Sequence, residues 1–304
     1  MVSPKDIPHE ILFDIIAKLP VKSLLKFRCE WFLFLRLWFL QWIANLLCIS
    51  DTTKETTYLW NPSIRKFKRL PRGLIRVKYR YSDVATIALG FGLDVGGNDY
   101  KVVRVGDFLH GVCVEVYSLR LDSWRIIHAV PPVTEIFEVF WSNKWTYLNG
   151  VVYWIVQEFF PDCRYIISFD MENEIFQRIM LPDRLLAVTD SISIRVLEKS
   201  LSLFHRRQES DREYHYYDIW VLEMDSWKMI RTIPVPSEGK IAWPLAFTAN
   251  GGVHFTTYGN WQHRKLELYD PKSEQVTDTG IKLGNYGGTR RRIYGYSESL
   301  VLLN

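Results

Sequence analysis

The chain has 304 residues, of which 48% are apolar and 24% are charged, so it can build a packed core and is not a disordered protein. Its formal net charge of +4 is too small to indicate a nucleic-acid-binding protein by itself. Aromatic residues are unusually frequent, with 12 Trp, 16 Tyr and 17 Phe. Large rigid rings at this density favour β-sheets and recognition surfaces over helical bundles.

Residues 6–28 predict two short helices. Asp6 can cap the first helix, and Pro8 falls in its first turn, where a missing N–H costs little. Pro20 ends this helix at Leu19 and can open the second one. The apolar stripes of such short helices belong either to a core or to a partner-facing surface. The absence of a signal-peptide pattern and the four dispersed cysteines predict a cytoplasmic or nuclear protein.

Residues 31–49 form an apolar stretch that is just long enough to span a bilayer. Arg36 interrupts it, and its three Trp residues are scattered rather than placed at the ends, as an aromatic belt would require. A buried or misassembled helical segment is therefore favoured over a membrane span, and we expect no membrane association. Residues 31–54 are assigned to an atypical apolar segment or linker.

Two basic clusters stand out in the sequence. Residues 65–80 contain eight cationic residues and no acidic one. A solvated loop and strand edge is the expected structure, because cationic side chains are typical of exposed strand edges. Residues 290–292 are three consecutive arginines, for which we expect a loop without a dedicated partner.

The sequence is repetitive from residue 55 onward. Five segments share one pattern, in which an alternating strand, a polar turn and a second alternating strand end near Pro or Gly. The position just after each turn recurs every 49 to 57 residues, which matches the period of kelch-type propeller blades. Asn149-Gly150 and Asn250-Gly251 are favoured hairpin turns between further strands. The recurring positions are Phe67, Trp124, Phe176, Trp227 and Val276.

Residues 55–304 are therefore predicted to form an all-β, kelch-like propeller. Together with the N-terminal helices, this makes the fold class α+β and multidomain. Five periods are few for a closed ring, so the sequence leaves open whether one blade is incomplete. The motif Asp-Ser-Trp, at residues 122–124 and again at 225–227, is interpreted as structural. Asp and Ser satisfy backbone groups of a turn, and Trp packs between blades.

The sequence predicts no catalytic residue, no metal and no cofactor. Gly90-Phe91-Gly92 lacks the third glycine of a dinucleotide-binding loop and precedes a strand instead of a helix. The seven histidines lack paired ligand spacing, and the cysteines have no neighbouring base. A polar, aromatic loop is instead the candidate for target contact. Its predicted target-binding residues are Arg206, Arg207, Arg212, Tyr214 and Tyr216.

Motifs in the order of one family cover nearly the whole chain. Those near the N-terminus are Ile7-Pro8, Glu10-Ile11, Leu19-Pro20-Val21-Lys22-Ser23-Leu24-Leu25 and Phe27-Arg28-Cys29. Later ones include Leu59-Trp60-Asn61-Pro62-Ser63, Asp99-Tyr100-Lys101-Val102-Val103-Arg104 and Glu298-Ser299-Leu300-Val301. On these motifs the sequence resembles plant F-box proteins that carry a type 1 F-box-associated (kelch-like) domain, the group that includes S-locus F-box proteins.

The resemblance implies a substrate-recognition subunit of an SCF-type E3 ubiquitin ligase, which itself does no covalent chemistry. A partial F-box, residues 1–30, would dock a Skp-type adaptor and through it a cullin-RING ligase. The propeller would hold a target protein of unknown identity, and no nucleic acid is implied. The adaptor-binding residues would be Pro8, Ile11, Leu12, Ile15, Leu19, Pro20, Leu24, Leu25 and Phe27.

The sequence departs from the family pattern after Cys29. Trp31-Phe32-Leu33-Phe34 stands where the family has a polar stretch, and Trp60-Asn61-Pro62 follows sooner than in relatives. We therefore expect early propeller strands to be missing, and hypothesise that residues 30–50 derive from an altered reading frame or a misjoined exon. The alternative function is a propeller interaction scaffold, or a decayed F-box paralogue, that no longer recruits the ligase. A propeller enzyme and a membrane-anchored propeller are less favoured.

Overall fold

The computed structural model describes residues 39–43, 46–51, 56–75, 87–108, 111–132, 145–159, 162–186, 192–207, 214–236, 241–248, 251–259, 263–283 and 303. Within these ranges the chain is almost entirely β-structure, with twenty strands and one short 3₁₀ helix, Asp183–Leu185. The strands form five four-stranded antiparallel sheets, and strands that are consecutive in sequence are neighbours in each sheet. The described part of the chain therefore has the predicted all-β architecture.

The first compact unit, Met1–Val130 with Gly295–Asn304, contains sheets 1 and 2. Sheet 1 consists of β1 (Phe39–Ile43), β2 (Leu46–Asp51), β3 (Thr56–Asn61) and β4 (Lys66–Arg69). Sheet 2 consists of β5 (Ile87–Asp94), β6 (Asp99–Phe108), β7 (Gly111–Ser118) and β8 (Ser123–Ile127).

The second compact unit, Pro131–Tyr294, contains sheets 3 to 5. Sheet 3 consists of β9 (Trp145–Leu148), β10 (Val151–Phe159), β11 (Asp162–Asp170) and β12 (Phe176–Met180). Sheet 4 consists of β13 (Ile192–Leu197), β14 (Ser200–Arg206), β15 (Tyr214–Glu223) and β16 (Ser226–Pro236). Sheet 5 consists of β17 (Ile241–Phe247), β18 (Val253–Gly259), β19 (His263–Asp270) and β20 (Gln275–Leu283).

The predicted repeat is confirmed, because one period corresponds to one four-stranded sheet. Each recurring position lies at the start of the last strand of its sheet and faces a residue of the strand before it. These cross-strand pairs are Trp60 with Phe67, Tyr117 with Trp124, Phe169 with Phe176, Leu222 with Trp227, and Tyr269 with Val276.

The turns between the third and fourth strands are stabilised by the last side chain of the third strand. Asn61, Asp170 and Asp270 each accept the backbone N–H two residues further on, at 3.0, 2.8 and 3.0 Å. Short polar side chains favour this local turn geometry. The turns also place one or two non-glycine residues at positive φ, as at Arg65 (54°) and Asp122 (50°). The same side-chain to backbone hydrogen bond and the same positive φ therefore recur at the turns of several sheets.

Residues 39–51 correct two expectations, because they form β1 and β2, the first two strands of sheet 1. A helical segment is therefore wrong for this stretch, and so is the expected loss of the first strands. The predicted boundary at residue 55 falls inside sheet 1. Leu46 to Ile49 are all at most 3% exposed. A strand buried on both faces carries a continuous apolar run without alternation, and that run resembles a helix in sequence.

The two predicted Asn-Gly turns have different outcomes. Asn149 and Gly150, with φ of 48° and 85°, connect β9 to β10 as a two-residue hairpin, so this prediction is confirmed. The second connection is longer, since β17 ends at residue 247 and β18 begins at residue 253. There the Gly252 N–H donates to the Thr248 hydroxyl at 2.8 Å. Residues 1–38 and Asn250 lie outside the described residues, so the helical F-box stays a prediction.

Sheet 4 buries both of its faces within the second unit. Leu203 packs in a core cluster with side chains of sheet 3, such as Ile155. Its neighbour Phe204 packs on the opposite face, in a cluster with Phe255 of sheet 5. This alternation follows from the two-residue period of a strand.

Indole groups join neighbouring sheets at equivalent positions. Trp124 of β8 donates its Nε1–H to the Pro71 carbonyl at 2.8 Å, just after the last strand of sheet 1. Trp227 of β16 donates to the carbonyl of Met180, the last residue of sheet 3, at 2.7 Å. These bonds confirm that the Trp of each Asp-Ser-Trp motif packs between successive blades.

A buried carboxylate fixes the segment that leaves sheet 1. Glu115 on β7 is fully buried and forms an ion pair with Arg104 on β6 at 2.5 Å. Its other oxygen accepts the backbone N–H groups of Leu74 at 2.6 Å and Ile75 at 3.0 Å. A Cβ atom at Gly73 would overlap the Arg104 guanidinium and the Glu115 carboxylate. We call residues 71–75 the strap, since these bonds fix them against sheet 2.

The indole bonds generate a testable prediction. Trp124→Phe should lower the free energy of unfolding by about 1 kcal/mol more than Trp60→Phe, because it also removes a hydrogen bond. Trp60 is the matched control, since it is buried and its Nε1 has no hydrogen-bond partner in the described part of the chain. Urea unfolding followed by fluorescence measures both. Equal losses in the two variants would show that the bond to Pro71 contributes nothing.

The strap generates a second prediction. Gly73→Ala should destabilise the protein by about 2–4 kcal/mol, because the new methyl group separates a buried ion pair. Leu74→Ala is the control on the same segment, since the Leu74 side chain is 54% exposed and only its backbone binds Glu115. Thermal unfolding distinguishes the two. Equal unfolding temperatures of the two variants would show that the ion pair of Arg104 and Glu115 does not require glycine at position 73.

Candidate functional site

The predicted target-binding residues come together at one end of sheet 4. Arg206 ends β14, and Tyr214 begins the antiparallel strand β15. Arg207 extends this pairing, because its N–H donates to the Tyr216 carbonyl at 2.9 Å. The rings of Tyr214 and Tyr216 lie 6.3 Å apart, and Tyr214 is 39% exposed. The fifth predicted residue, Arg212, lies outside the described residues.

Arg207 is anchored by side chains of the two neighbouring strands. Its Nε donates to Asp218 Oδ2 on β15 at 2.8 Å, and its Nη2 donates to the Thr232 hydroxyl on β16 at 3.1 Å. The Thr232 hydroxyl in turn donates to Asp218 Oδ1 at 2.6 Å. The three side chains therefore form a closed set of hydrogen bonds that holds the end of β14, β15 and β16 together. Arg207 has this positioning role besides the target contact predicted for it.

The surroundings of Asp218 favour the ionised form of its carboxyl group. Burial raises the pKa of Asp218, but the hydrogen bonds from Arg207 and Thr232 and the Arg207 charge bring it below its usual value. His205 faces the same carboxylate, with Nδ1 at 3.8 Å from Asp218 Oδ2. Burial lowers the pKa of His205, although the Asp218 charge opposes this effect. The folded protein therefore keeps His205 uncharged at neutral pH.

The sequence analysis missed His205, Asp218 and Thr232. One signal was available, because Asp218 stands between the apolar residues Tyr217 and Ile219 in a strand that is otherwise suited to burial. A buried carboxylate needs partners, so an acidic residue inside such a strand indicates a polar cluster. Which residues are the partners depends on strand pairing, which a sequence pattern does not specify.

No group of three or more His, Cys, Asp or Glu residues in the described ranges could hold a metal ion. Burial raises the pKa of the Cys48 thiol, so this group stays protonated and is a poor nucleophile. In the part of the chain that the structure describes, no helix has the length and apolar character needed to cross a membrane.

Comparison with known proteins identifies the family. The model of the F-box associated beta propeller domain matches residues 45–277. The chain belongs to this family. The five sheets are the blades of this domain, and the match begins before residue 55, in agreement with the place of β2 in sheet 1.

The relatives are plant F-box proteins of modest identity. An F-box/kelch-repeat protein of Arabidopsis thaliana is 27% identical over 62% of this chain and 51% of its own length. The F-box protein CPR1 of the same plant is 26% identical over 78% of this chain and 62% of its own length. The chain thus spans only about half to three fifths of these relatives. Among solved structures, the alignment with YjhT covers 78% of this chain and 81% of the YjhT chain. The sequence identity is 12% and the TM-score is 0.46.

The uncharged His205 gives a pH-dependent prediction. An unfolded histidine takes up a proton below about pH 6.5, whereas His205 is protonated only at lower pH when folded. The free energy of unfolding should therefore fall as the pH decreases from about 7.5 to about 5.5. His205→Gln should reduce this slope, because Gln does not titrate. Urea unfolding at several pH values measures the slope.

Other titrating residues must be separated from His205 in this experiment. The matched control is His128→Gln, a substitution of an exposed histidine, and His205→Gln should have a smaller slope than this control. His254, whose pKa burial also lowers, should preserve part of the slope in both variants. Asp218 contributes outside this window, since a lowered carboxyl pKa loses its stabilising effect only below about pH 4. Equal slopes for wild type and His205→Gln would contradict the assignment.

Proposed function

We propose that this protein is a substrate-recognition subunit of an SCF-type E3 ubiquitin ligase. The observation that carries the proposal is membership of the F-box associated propeller family, together with relatives that are F-box proteins. In this proposal, residues 1–30 dock a Skp-type adaptor, and the propeller binds a target protein. The subunit forms and breaks no covalent bond.

Such a subunit acts by positioning its target. A bound target is held near the charged ubiquitin-conjugating enzyme, which raises the effective concentration of its lysines. This effect depends on a firm connection between binding surface and adaptor, because a loose one spreads the target over a large volume. The side-chain bonds of Trp124 and Trp227 between successive blades support this role, since they stiffen the domain.

The end of sheet 4 is the proposed place of target contact. Tyr214 presents a partly exposed ring next to Tyr216, and Arg206 lies beside them at the end of β14. Tyr and Arg are frequent at the centres of protein interfaces, where rigid rings provide contact area at a low entropic cost. The hydrogen bonds among Arg207, Asp218 and Thr232 keep this strand end in one geometry before a target arrives.

A second candidate function follows from the departure after Cys29. The apolar Trp31-Phe32-Leu33-Phe34 replaces the polar end of the F-box, and a changed F-box end weakens adaptor binding. The protein would then be an interaction scaffold that binds the same target without recruiting a ligase. Both functions use the propeller, so adaptor binding is the property that separates them.

The proposal predicts that the full-length protein captures a purified Skp-type adaptor under reducing conditions. Leu19→Asp and Leu24→Asp should each reduce capture by at least about tenfold, because a charge in an apolar contact costs more than 1.4 kcal/mol. A pull-down with quantified adaptor measures the effect. Leu74→Asp is the control, since this exposed leucine lies in the propeller domain.

Two results have opposite meanings for this proposal. Loss of capture in the Leu19 and Leu24 variants, with unchanged thermal unfolding of the propeller, supports docking through the F-box. A wild-type protein that is folded but does not capture the adaptor contradicts the ligase role and leaves the scaffold function.

A further inference from the structure

One carboxylate oxygen of sheet 4 lies next to both a histidine and an arginine. His205 on β14 is the direct cross-strand partner of Asp218 on β15, and the two side chains are 13% and 10% exposed. His205 Nδ1 lies 3.8 Å from Asp218 Oδ2. The same oxygen accepts the Nε–H of Arg207 at 2.8 Å. Two side chains that can carry a positive charge, one permanently and one depending on pH, therefore compete for this oxygen.

Arg207 holds the carboxylate in the structure, and His205 does not. A distance of 3.8 Å is too long for a hydrogen bond, and His205 Nδ1 is buried without a hydrogen-bond partner among the described residues. A buried polar atom without a partner has lost its contact with water and gained no bond in exchange. Proton uptake gives both ring nitrogens an N–H and adds a positive charge, which draws Nδ1 towards Asp218 Oδ2.

The described surroundings of His205 contain two charged groups that act on it, Asp218 and Arg207. A protonated His205 is attracted by the first and repelled by the second. The other described side chains on this face are uncharged at neutral pH. They are Ile192, opposite His205 on β13; Thr232 on β16, beside Asp218; Tyr216 on β15; and Ile155 and Tyr153 of sheet 3, which pack in or against the core cluster of Ile192.

Arg207 is the cation that tolerates loss of the carboxylate better. Its side chain is 38% exposed, so water can replace the bond to Asp218. The His205 side chain is only 13% exposed, so a charge on it has little access to water and depends on a protein partner. The second bond of Arg207, from Nη2 to the Thr232 hydroxyl at 3.1 Å, is not to a charged group. The buried cation therefore gains more from Asp218 than the exposed one.

We propose that His205, Asp218 and Arg207 form a pH-sensitive switch. When His205 takes up a proton from water, its Nδ1–H binds Asp218 Oδ2, and the Arg207 guanidinium leaves this oxygen for solvent. When His205 loses the proton to water, Arg207 returns to the carboxylate. The step makes and breaks one N–H bond of the imidazole and exchanges the donor at Oδ2.

The pH range of the switch follows from the two groups that titrate. Burial lowers the pKa of His205, so the imidazole is charged only below about pH 6.5. Burial raises the pKa of Asp218, but the bonds and the charge of Arg207 bring it below its usual value, so the carboxylate persists down to about pH 4. Protonated His205 and ionised Asp218 therefore coexist at mildly acidic pH.

The switch acts on the strand end that carries the candidate target contact. The backbone N–H of Arg207 donates to the Tyr216 carbonyl at 2.9 Å, and the Tyr214 ring lies next to the Tyr216 ring. Release of the Arg207 side chain removes a link between this strand end and Asp218, so the tyrosine pair is held less firmly at acidic pH. Weaker preorganisation predicts weaker target binding there. This consequence rests on the proposed function, whereas the switch is a property of the chain alone.

The test follows the switch by NMR in the full-length protein, without adaptor or target. A titration from about pH 7.5 to about pH 4.5 records the imidazole signals of His205 and the Nε–H signal of Arg207. The signals are assigned by their loss in His205→Gln and Arg207→Gln. We expect the Arg207 Nε–H signal to shift with the same midpoint as the His205 imidazole. In His205→Gln, the Arg207 signal should not shift in this range.

Thermodynamic linkage gives a second measurement. If proton uptake by His205 weakens the bond of Arg207, removal of Arg207 must favour proton uptake by the same free energy. Arg207→Gln should therefore raise the midpoint of the His205 titration by at least about 0.5 pH unit, which is about a threefold change in proton affinity. The matched control is Arg184→Gln, which removes an exposed cation of the same unit and should leave the midpoint unchanged.

Two results would overturn the inference. One is an Arg207 Nε–H signal that does not follow the His205 titration, and the other is an equal His205 midpoint in wild type and Arg207→Gln. A merely structural role of Arg207 predicts lower stability of this variant without any change in the midpoint. Thermal unfolding at about pH 7.5 shows whether each variant is folded. If Arg207→Gln is unfolded, the Arg207 signal in wild type and His205→Gln still decides.

The switch and the ligase role fail in different experiments. Every measurement of the switch uses this chain alone, and adaptor capture is measured separately. A protein that does not capture the adaptor can still show the linked titration of His205 and Arg207. A protein that captures the adaptor without this linkage keeps its ligase role and lacks the switch.

Discussion

The structure depends on hydrogen bonds between the backbone that leaves one sheet and the side chains of the following sheet. A segment that passes from one sheet to the next has backbone groups outside the strand ladders, and side chains of the neighbouring sheet bond some of them. Trp124 and Trp227 supply a donor to the carbonyls of Pro71 and Met180. Glu115 supplies the complementary acceptor to two N–H groups of the strap. Sheets of this size also bury apolar side chains on both faces, but those contacts have no direction. The indole and carboxylate bonds add the direction that fixes how sheet 2 meets sheet 1, and the indole bond of Trp227 does the same between sheets 4 and 3.

The same constraint applies to charged groups. Glu115 bonds the backbone of the strap and is fully buried, and the cation that balances it, Arg104, is buried too. The fourth strands of the five sheets differ in length and in the regularity of their pairing. β4, β8 and β12 have four or five residues, whereas β16 and β20 have eleven and nine and carry irregular pairing with β15 and β19. Short length and bulges both make an exposed edge a poor template for association.

The sequence was sufficient for features that depend on neighbouring residues. The period of the repeat, the two-residue turn at Asn149-Gly150 and the structural role of Trp124 all follow from local patterns, and the structure agrees with them. The sequence was insufficient where burial or distant pairing decides. β1 and β2 carry a continuous apolar run, so alternation gave no evidence for strands there. The bonds of Glu115 to the strap join residues 40 and 41 positions apart, and those of Asp218 to Arg207 and Thr232 join three strands. No spacing rule anticipates such partners, although an acid inside a buried strand indicates that partners exist.

The place of β1 and β2 changes the meaning of the departure after Cys29. If the first strands were missing, the departure would affect the propeller as well as the predicted F-box. Sheet 1 instead has four strands, all between residues 39 and 69, so the described part of the altered region completes the first blade. The unusual sequence Trp31-Phe32-Leu33-Phe34 lies outside the described residues and precedes sheet 1 in the chain. Under the proposed function, a chain that does not capture the adaptor would therefore still present the tyrosine pair of sheet 4, which is the scaffold alternative.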